Sequence, residues 1–270
     1  SYFDLKQKTG QLRSMMIRTA TTGQIMLVIQ FFEDQPVQRE ALFEAIINNF
    51  TQINSLHYII NKKANDSIYD QEVILHAGSP FIEEEMEGLR FRITPKSFYQ
   101  TNSLQAYELY KITRDFAGLT GNEIVYDLYT GLGTIAQFVV NGAKHVVGIE
   151  AIPEAIAAAK ENAKRNKLSN LSFILGDMKK VFTDNFITKH GTPDVVITDP
   201  PREGMHKDVV KQLIAILPQR IVYVSCNSST QARDLNLLTD YYAIQKVQPV
   251  DMFPHTQHVE NVVLLERIHA

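Results

Sequence analysis

Residues 124–239 alternate short apolar runs with longer segments in which apolar residues recur at helical spacing. The apolar runs are rich in valine, isoleucine and leucine and lie at 124–128, 146–149, 171–175, 195–198 and 221–224. Continuous apolar runs are typical of parallel strands, because helices cover both faces of a parallel sheet. The alternation therefore predicts an α/β fold with a Rossmann-like, doubly wound sheet.

The segments between these strands predict helices at 135–140, 153–166, 207–217 and 230–239. Two further strand-like runs, 242–247 and 261–267, follow one another without a helix between them. Parallel strands need a long crossover connection, so we expect these two to finish the sheet as an antiparallel pair. Residues 96–270 are assigned to this domain.

The first 95 residues have a different pattern. They predict a β-hairpin over 12–32, an amphipathic helix over 37–50 and short strands at 55–60, 72–76 and 89–93. Mixed strands with one helix indicate a small α+β domain, residues 1–95. We interpret it as a scaffold and assign no catalytic group to it.

Cysteine content and charge exclude several classes of protein. The single cysteine forms no internal disulfide and supplies no four-thiolate site, and no metal is predicted. No apolar run approaches the roughly 18 residues that cross a bilayer, and no export signal opens the chain, which favours a cytoplasmic protein without a membrane partner. A net charge of −3 gives no overall basic signature, so nucleic-acid binding requires a local patch or another domain.

A glycine-rich turn joins the first strand of the α/β domain to its first helix. Gly131, Gly133 and Ala136 form the pattern G-x-G-x-x-A, which permits a tight turn and close approach of a ligand to the backbone. Glu150 ends the next strand, where a carboxylate can accept both ribose hydroxyls of a nucleotide. The pattern suits NAD and S-adenosylmethionine alike, and a glycine turn that merely packs helix on strand remains the alternative.

Acidic residues also end the third and fourth strands. Asp177 is placed to meet an adenine amino group, and Asp199 begins the segment Asp-Pro-Pro-Arg that ends at Arg202. Three acidic strand ends in succession suit a cationic sulfonium better than a pyrophosphate. The sequence therefore favours S-adenosylmethionine as the cofactor.

Several motifs together resemble the uracil-C5 RNA methyltransferases, which methylate C5 of uridine in transfer or ribosomal RNA. The resemblance covers nearly the whole chain and is carried by Phe98-Tyr-Gln-Thr-Asn102, Asp127-Leu-Tyr-Thr-Gly-Leu-Gly133, Asp199-Pro-Pro-Arg202, Ser225-Cys-Asn227, Ala232-Arg-Asp-Leu235 and His255-Thr-Gln-His-Val-Glu260. It implies that Cys226 is the nucleophile and Glu260 the general base. It also implies that the pocket for the methyl donor and the uracil is lined by Gln100, Tyr129, Thr134, Glu150, Asp177 and Asp199.

The resemblance further implies an RNA partner, and a monomer is expected. Segment 82–93 is similar to ribosomal-RNA members, so 23S rRNA is favoured over tRNA. The chain departs from the family pattern in two ways. Ser228 stands where the family usually has proline, which predicts a less rigid loop. The chain also lacks the N-terminal OB-like domain and the iron–sulfur cysteines of many members, so we expect it to be part of a longer protein.

Cys226 ends the last apolar run, where ligands bind in open α/β sheets. A lone cysteine is more often a small buried hydrophobic residue, but this position favours a nucleophile. C5 of uracil is a poor nucleophile, and addition of a thiolate to C6 raises its electron density. We expect loop amides or the start of the following helix to lower the pKa of the thiol.

Glu260 precedes a terminal apolar strand, and partial burial is expected to raise its pKa as a base requires. A hydrogen-bonded strand-end acid is the alternative. His255 and His258 are interpreted as structural or RNA-facing rather than metal ligands. The side chains of Phe98, Tyr99 and Gln100 offer a stacking face and an amide for a flipped uracil, although aromatic packing explains them equally well.

Two other functions remain open. The chain could be a module that binds S-adenosylmethionine without turnover, because RNA docking needs a further domain. It could also methylate an exocyclic amine or a small molecule, in which case Cys226 is dispensable. Arg202 after Pro-Pro favours carbon methylation, since amine methyltransferases place an aromatic residue there.

Overall fold

The computed structural model describes residues 1–268, which form two compact units that meet in sequence at Thr101 and Asn102. The sequence prediction placed this boundary at residues 95 and 96, and the assignment of the units as domains stays a prediction. The elements of the first unit are β1 (Leu12–Thr19), β2 (Ile25–Phe31), α1 (Pro36–Asn49), β3 (Ile53–Ile60), β4 (Ile74–Gly78), β5 (Ile82–Met86) and β6 (Leu89–Ile93).

The first unit is an α+β structure, as its mixed pattern predicts. Its four-stranded sheet has the order β1-β2-β3-β4, and β5 pairs with β6 in a separate hairpin. Helix α1 connects the parallel strands β2 and β3, and its Phe43 is buried against Phe31 and Leu56 of these strands. Strand β5 is missing from the sequence prediction because its alternation of Ile82, Glu84 and Met86 buries a glutamate as well as apolar residues.

The second unit contains the remaining elements. They are α2 (Ser103–Ala117), β7 (Ile124–Leu128), α3 (Thr134–Val139), a 3₁₀ helix (Val140–Gly142), β8 (His145–Glu150), α4 (Pro153–Arg165), β9 (Leu171–Leu175), α5 (Met178–Val181), α6 (Asp184–His190), β10 (Val195–Thr198), α7 (Lys207–Ile216), β11 (Arg220–Ser225), α8 (Ser228–Asn236), β12 (Tyr242–Val250) and β13 (Glu260–Arg267). Helices α5 and α6 are absent from the sequence prediction because both are short and carry few apolar residues.

The sheet of the second unit confirms the predicted α/β class. Its seven strands have the order β12-β13-β11-β10-β7-β8-β9, and the five from β7 to β11 are parallel. The pair β12 and β13 is antiparallel, as expected, and β13 lies between β12 and β11. The core strands are almost completely buried, with Val125, Val196 and Val222 at 0% exposure.

The strand order changes direction at β7. Strands β8 and β9 extend the sheet on one side of β7, whereas β10 and β11 extend it on the other. Helical connections leave a crevice at such a switch point, beyond the carboxyl ends of the strands. Asp127 of β7 and Asp199 after β10 therefore lie on the two sides of this crevice.

Candidate active site

The glycine turn after β7 has an unusual backbone. Tyr129, Gly131 and Gly133 all have positive φ angles, of 64°, 56° and 72°. A tyrosine in this left-handed region is strained, and such strain is typical of functional turns. A Cβ atom at Gly133 would lie 2.4 Å from Phe173, whereas one at Gly131 would meet no atom within 4 Å. Gly133 is thus required by packing, and Gly131 borders open space.

Glu150 is held in a fixed orientation at the end of β8. Its Oε2 atom accepts a hydrogen bond from the Gly131 amide at 3.0 Å, and Oε1 accepts from the amides of Ala151 and Ile152 at 2.7 and 3.0 Å. The carboxylate therefore ties the glycine turn to the end of the neighbouring strand. Its remaining lone pairs are available to the hydroxyls of a ligand.

A cleft of about 650 Å³ opens beside these residues. Tyr129 and Asp177 line it, together with Ala151, Met178 and the loop at 203–207. Asp177 is the N-cap of α5 and accepts from the Lys179 amide at 3.2 Å. Tyr129, Glu150 and Asp177 are therefore gathered at one place by three successive strand ends.

Asp127 is a buried carboxylate beneath the glycine turn that has no role in the sequence prediction. Its Oδ2 atom accepts hydrogen bonds from the Thr130 hydroxyl and, at 3.1 Å, from the Ala136 amide. Its Oδ1 atom is buried and has no hydrogen-bond partner within residues 1–268. Burial, with a smaller repulsion from Glu150, raises the pKa of Asp127 to about 7. The sequence signal that could have identified Asp127 is its position near the end of a strand, just before the glycine turn.

Tyr110 of α2 is a second residue that sequence reasoning missed. It is 4% exposed, and its hydroxyl is hydrogen-bonded to Thr134, the first residue of α3. Burial raises its pKa, and the nearby carboxylates of Asp199, Asp127 and Glu260 add to this rise. The helical pattern of α2 makes Tyr110 look like an ordinary core residue, so its sequence carries no signal for this position.

Cys226 and Glu260 are 34 positions apart but meet through the sheet. Strands β11 and β13 are antiparallel, with Ser225 paired to Asn261, so the end of β11 adjoins the start of β13. Cys226 follows Ser225 and is partly exposed, whereas Glu260 precedes Asn261 and is 5% exposed. The register thus brings a thiol and a buried carboxylate together beside Asp199.

The electrostatic environment of Cys226 differs from the sequence expectation. Burial raises the pKa of the thiol above its ordinary value, and Glu260 and Asp199 raise it further. The guanidinium of Arg202 interacts with the thiol and opposes this rise. The expected lowering of the pKa by loop amides or a helix start is therefore wrong, because burial and the two nearby carboxylates outweigh the opposing effect of Arg202.

Glu260 and Asp199 are also perturbed. Burial raises the pKa of Glu260, as the sequence analysis expects, and Arg202 partly offsets the rise. Burial raises the pKa of Asp199 well above its usual range, and the charges of Glu260 and Asp127 contribute. Perturbed carboxylates in a crevice are typical of sites that move protons or bind cations.

Asn227 and Ser228 form a regular helix start after the thiol. The Asn227 side chain caps α8 by accepting a hydrogen bond from the Ser229 amide at 3.1 Å. Ser228 is the first helical residue, a position that favours proline but accepts serine. The cap and the Ser225 hydroxyl, which accepts from the Asn227 amide at 3.1 Å, order the loop without proline.

The second unit thus contains seven of the eight predicted site residues, at or next to the carboxyl ends of β7 to β11 and the start of β13: Tyr129, Thr134, Glu150, Asp177, Asp199, Cys226 and Glu260. Gln100 lies in the first unit, and its role stays a prediction. None of the helices within residues 1–268 is both long and apolar enough to span a bilayer. In the same part of the chain, no cluster of three His, Cys, Asp or Glu side chains forms a metal site.

Comparison with curated proteins identifies close relatives. A protein of Porphyromonas gingivalis named uncharacterized RNA methyltransferase is 59% identical over 268 residues, and one of Bacteroides thetaiotaomicron with the same name is 56% identical over 269 residues. These alignments cover 98% of this chain but only 58% and 59% of the relatives. The chain therefore spans less than two thirds of the length of the relatives that it matches.

A solved structure with the same fold is the tRNA (uracil-54, C5)-methyltransferase of Pyrococcus abyssi in complex with S-adenosyl-L-homocysteine. It is 32% identical, with a TM-score of 0.81, and the match covers 97% of this chain and 62% of that one. Residues 69–268 also match the family model described as tRNA (Uracil-5-)-methyltransferase, which is most of the chain. The chain belongs to the tRNA (uracil-5-)-methyltransferase family, as the resemblance of its motifs indicated.

Proposed function

We propose that this chain is the catalytic part of an S-adenosylmethionine-dependent RNA methyltransferase that modifies C5 of a uridine, with 23S rRNA as its substrate. The observation that carries the proposal is the meeting of the Cys226 thiol with the buried Glu260 carboxylate beside Arg202. A nucleophile and a base at one site are what substitution at C5 of uracil requires.

The residues at the crevice fit S-adenosylmethionine. The family to which the chain belongs uses this cofactor, which is also the one that the sequence predicts. Among the described residues the buried Oδ1 atom of Asp127 has no hydrogen-bond partner, and the nearby Asp199 has a raised pKa, so a cationic ligand is favoured here. Glu150 and Asp177 would hold the ribose and the adenine, and Tyr129 borders the same cleft. When bound, S-adenosylmethionine supplies an electrophilic methyl group for C5.

Cys226 acts on the uracil ring. Its thiolate adds to C6, which breaks the C5–C6 double bond and places negative charge on C5 and O4 as an enolate. Arg202, which interacts with the thiol, stabilises the thiolate before addition and after release. Asp199 is proposed to hydrogen-bond the edge of the ring and orient it.

Glu260 completes the substitution by removing the proton from C5. The electron pair of the C5–H bond then re-forms the C5–C6 double bond, and the thiolate leaves C6. Burial raises the pKa of Glu260, which makes it a stronger proton acceptor than an exposed glutamate. Its 5% exposure also keeps bulk water from competing for the same proton.

The target RNA is tested by direct methylation. This chain, with S-adenosylmethionine carrying a deuterated methyl group, is incubated with ribosomal RNA or with tRNA, and the nucleosides are analysed by mass spectrometry. Labelled 5-methyluridine in 23S rRNA supports the proposal, whereas label in tRNA alone contradicts the choice of substrate. The Pyrococcus abyssi protein is a tRNA methyltransferase, so the tRNA arm is a necessary part of the test.

The same assay separates the two alternatives. Binding of S-adenosylmethionine without methylation of either RNA would indicate a binding module without turnover. Methylation that persists in a Cys226→Ser variant would indicate attack by an exocyclic amine, because such a reaction needs no thiol. Each outcome contradicts uridine C5 methylation by this chain.

A further inference from the structure

The motif Ala232-Arg-Asp-Leu235 has no part in the mechanism above, although it lies next to the nucleophile loop. It falls within helix α8, which begins two residues after Cys226. Thr230 lies three residues after Asn227, and Arg233 and Asp234 lie three and four residues after Thr230. Residues at this spacing lie on one face of a helix. The face is directed at the segment Arg202–Met205, which follows Asp199-Pro-Pro.

The first half of this face holds the backbone of Arg202. The Asn227 side-chain amide donates to the Arg202 carbonyl oxygen at 3.0 Å. The Thr230 hydroxyl lies 3.1 Å from the same oxygen, and also 3.1 Å from the Asn227 carbonyl. The main chain of Arg202 is thus anchored by two side chains that lie one and four residues after the nucleophile.

The second half holds the next three residues. Arg233 donates to the Glu203 carbonyl at 2.8 Å, and the buried Asp234 accepts from the Met205 amide at 2.8 Å. Gly204 lies between them with a φ angle of 78°. A Cβ atom at Gly204 would lie 2.6 Å from the Asp234 carboxylate and 2.7 Å from the Arg233 guanidinium. The turn is therefore packed directly against the helix face.

Asp234 is itself fixed by further hydrogen bonds. It is 1% exposed, and the Tyr223 hydroxyl of β11 donates to the same oxygen as the Met205 amide, at 2.7 Å. Arg233 donates to its other oxygen at 2.8 and 2.9 Å. A buried carboxylate with four hydrogen bonds is a rigid anchor, because moving the turn would leave an uncompensated charge.

We propose that Thr230 and Asp234 are positioning residues that hold Arg202 against the Cys226 thiol and thereby set the reactivity of this thiol. The side chain of Arg202 is exposed, so its own packing does not fix it. Its position is fixed instead by the hydrogen bonds to its backbone carbonyl and by His258, which accepts a hydrogen bond from its guanidinium. The inference rests on the proposed role of Cys226 as nucleophile.

The single cysteine allows a test that needs no RNA. Alkylation by iodoacetamide of this chain reports Cys226 alone, and its dependence on pH gives the midpoint of thiol ionisation. The groups that face the thiol are Glu260, Asp199 and Arg202, and the variants of Thr230 and Asp234 below leave all three residues unchanged. Displacement of Arg202 removes the positive charge that opposes the rise, so the midpoint of thiol ionisation should move to higher pH.

Thr230→Val and Thr230→Ser form the matched pair. Valine keeps the shape but removes the hydroxyl, and alkylation at pH 7.5 is expected to slow about fivefold with a higher midpoint. Serine keeps the donor and is expected to restore the parent profile. Asn236→Ala, at an exposed position of the same helix, is the control for effects on α8 as a whole.

Asp234→Asn provides a second variant, and circular dichroism is used to check that it folds. It is expected to raise the midpoint at least as much as Thr230→Val. In an Arg202→Met background neither change should shift the midpoint further, because both act through Arg202. An unchanged midpoint in Thr230→Val, or additive shifts in the double variants, would overturn the inference. Alkylation requires no methyl transfer, so the effect of Thr230 and Asp234 on the thiol can be measured even if the chain does not methylate uridine.

Discussion

The guanidinium of Arg202 donates a hydrogen bond to Nδ1 of His258, and the two atoms are 3.1 Å apart. Because arginine is always a donor, His258 must present an unprotonated Nδ1 to it. Arg202 also lowers the pKa of both Cys226 and Glu260, against the larger effect of burial. His258 therefore lies next to a cation that acts on both proposed catalytic groups.

Replacement of His258 tests this contact. In His258→Ala the guanidinium loses its acceptor, and we expect methylation to slow about tenfold. Glutamine offers a side-chain oxygen as acceptor, so His258→Gln should retain most of the activity. The control is His255→Asn in the same loop, because asparagine tolerates the φ angle of 73° at this position. Equal rates for the alanine variant and the parent, measured with saturating RNA, would contradict the assignment.

Loss of the base is expected to trap the substrate. In Glu260→Gln the proton at C5 has no acceptor, so methylated RNA should remain bound to Cys226 as a covalent adduct. Turnover should fall by about 10²–10⁴, the range for removal of a general base. Denaturing gel electrophoresis with labelled RNA detects the adduct, and Cys226→Ala in the same background must abolish it. If no RNA survives denaturation on the protein, both assigned roles are incorrect.

Cofactor binding should depend on the ionisation of Asp127. Its pKa of about 7 in the folded chain lies above the ordinary value, so the folded state binds the proton more tightly than the unfolded chain. The stability of the free protein is therefore expected to fall as pH rises from about 4 through 7. A cationic ligand favours the ionised carboxylate, so S-adenosylmethionine should bind more tightly at pH 8 than at pH 6.

Calorimetry in buffers of different ionisation enthalpy measures this coupling as proton release on binding. Asp127→Asn should reduce the number of protons released, leaving the contribution of Asp199. The thermal shift caused by S-adenosylmethionine, compared at pH 6 and pH 8, is an independent measurement. Binding that is equally tight at both pH values would exclude Asp127 and Asp199 from the cofactor site.

The two glycines of the turn should respond differently to alanine. Gly133→Ala places a Cβ atom 2.4 Å from Phe173 and should destabilise the fold, which chemical denaturation measures. Gly131→Ala meets no atom, so its cost is only that of a positive φ angle, about 1 kcal/mol.

Gly131→Ala should nevertheless weaken the binding of S-adenosylmethionine about tenfold, because the added methyl group enters the open space of the turn. Gly23→Ala is the matched control, since Gly23 also has a positive φ angle and open space but lies in the hairpin of the first unit. If Gly131→Ala and Gly23→Ala bind the cofactor equally well, Gly131 does not border its site.

The sequence alone was sufficient for the architecture of the second unit. Strands β7 and β10 have the predicted bounds, because a buried parallel strand must be apolar on both faces and so stands out locally. The edge strand β9 also has the predicted bounds, although only Phe173 of this strand is buried. The glycine turn and the acids at positions 150, 177 and 199 are visible for the same reason, since each follows directly from a strand end. Short polar helices such as α5 leave no such pattern.

Only the tertiary structure decided which groups act on one another. The antiparallel register of β13 against β11 brings Cys226 next to Glu260. One face of helix α8 packs against the turn that follows Asp199-Pro-Pro. The direction in which the pKa of Cys226 shifts also depends on burial of the thiol and on the carboxylates that packing places near it, which is why the sequence expectation was wrong. The local pattern of apolar residues predicts strands and helices because it reflects burial along a single strand or helix. Electrostatics and positioning depend on contacts between segments that are distant in the chain.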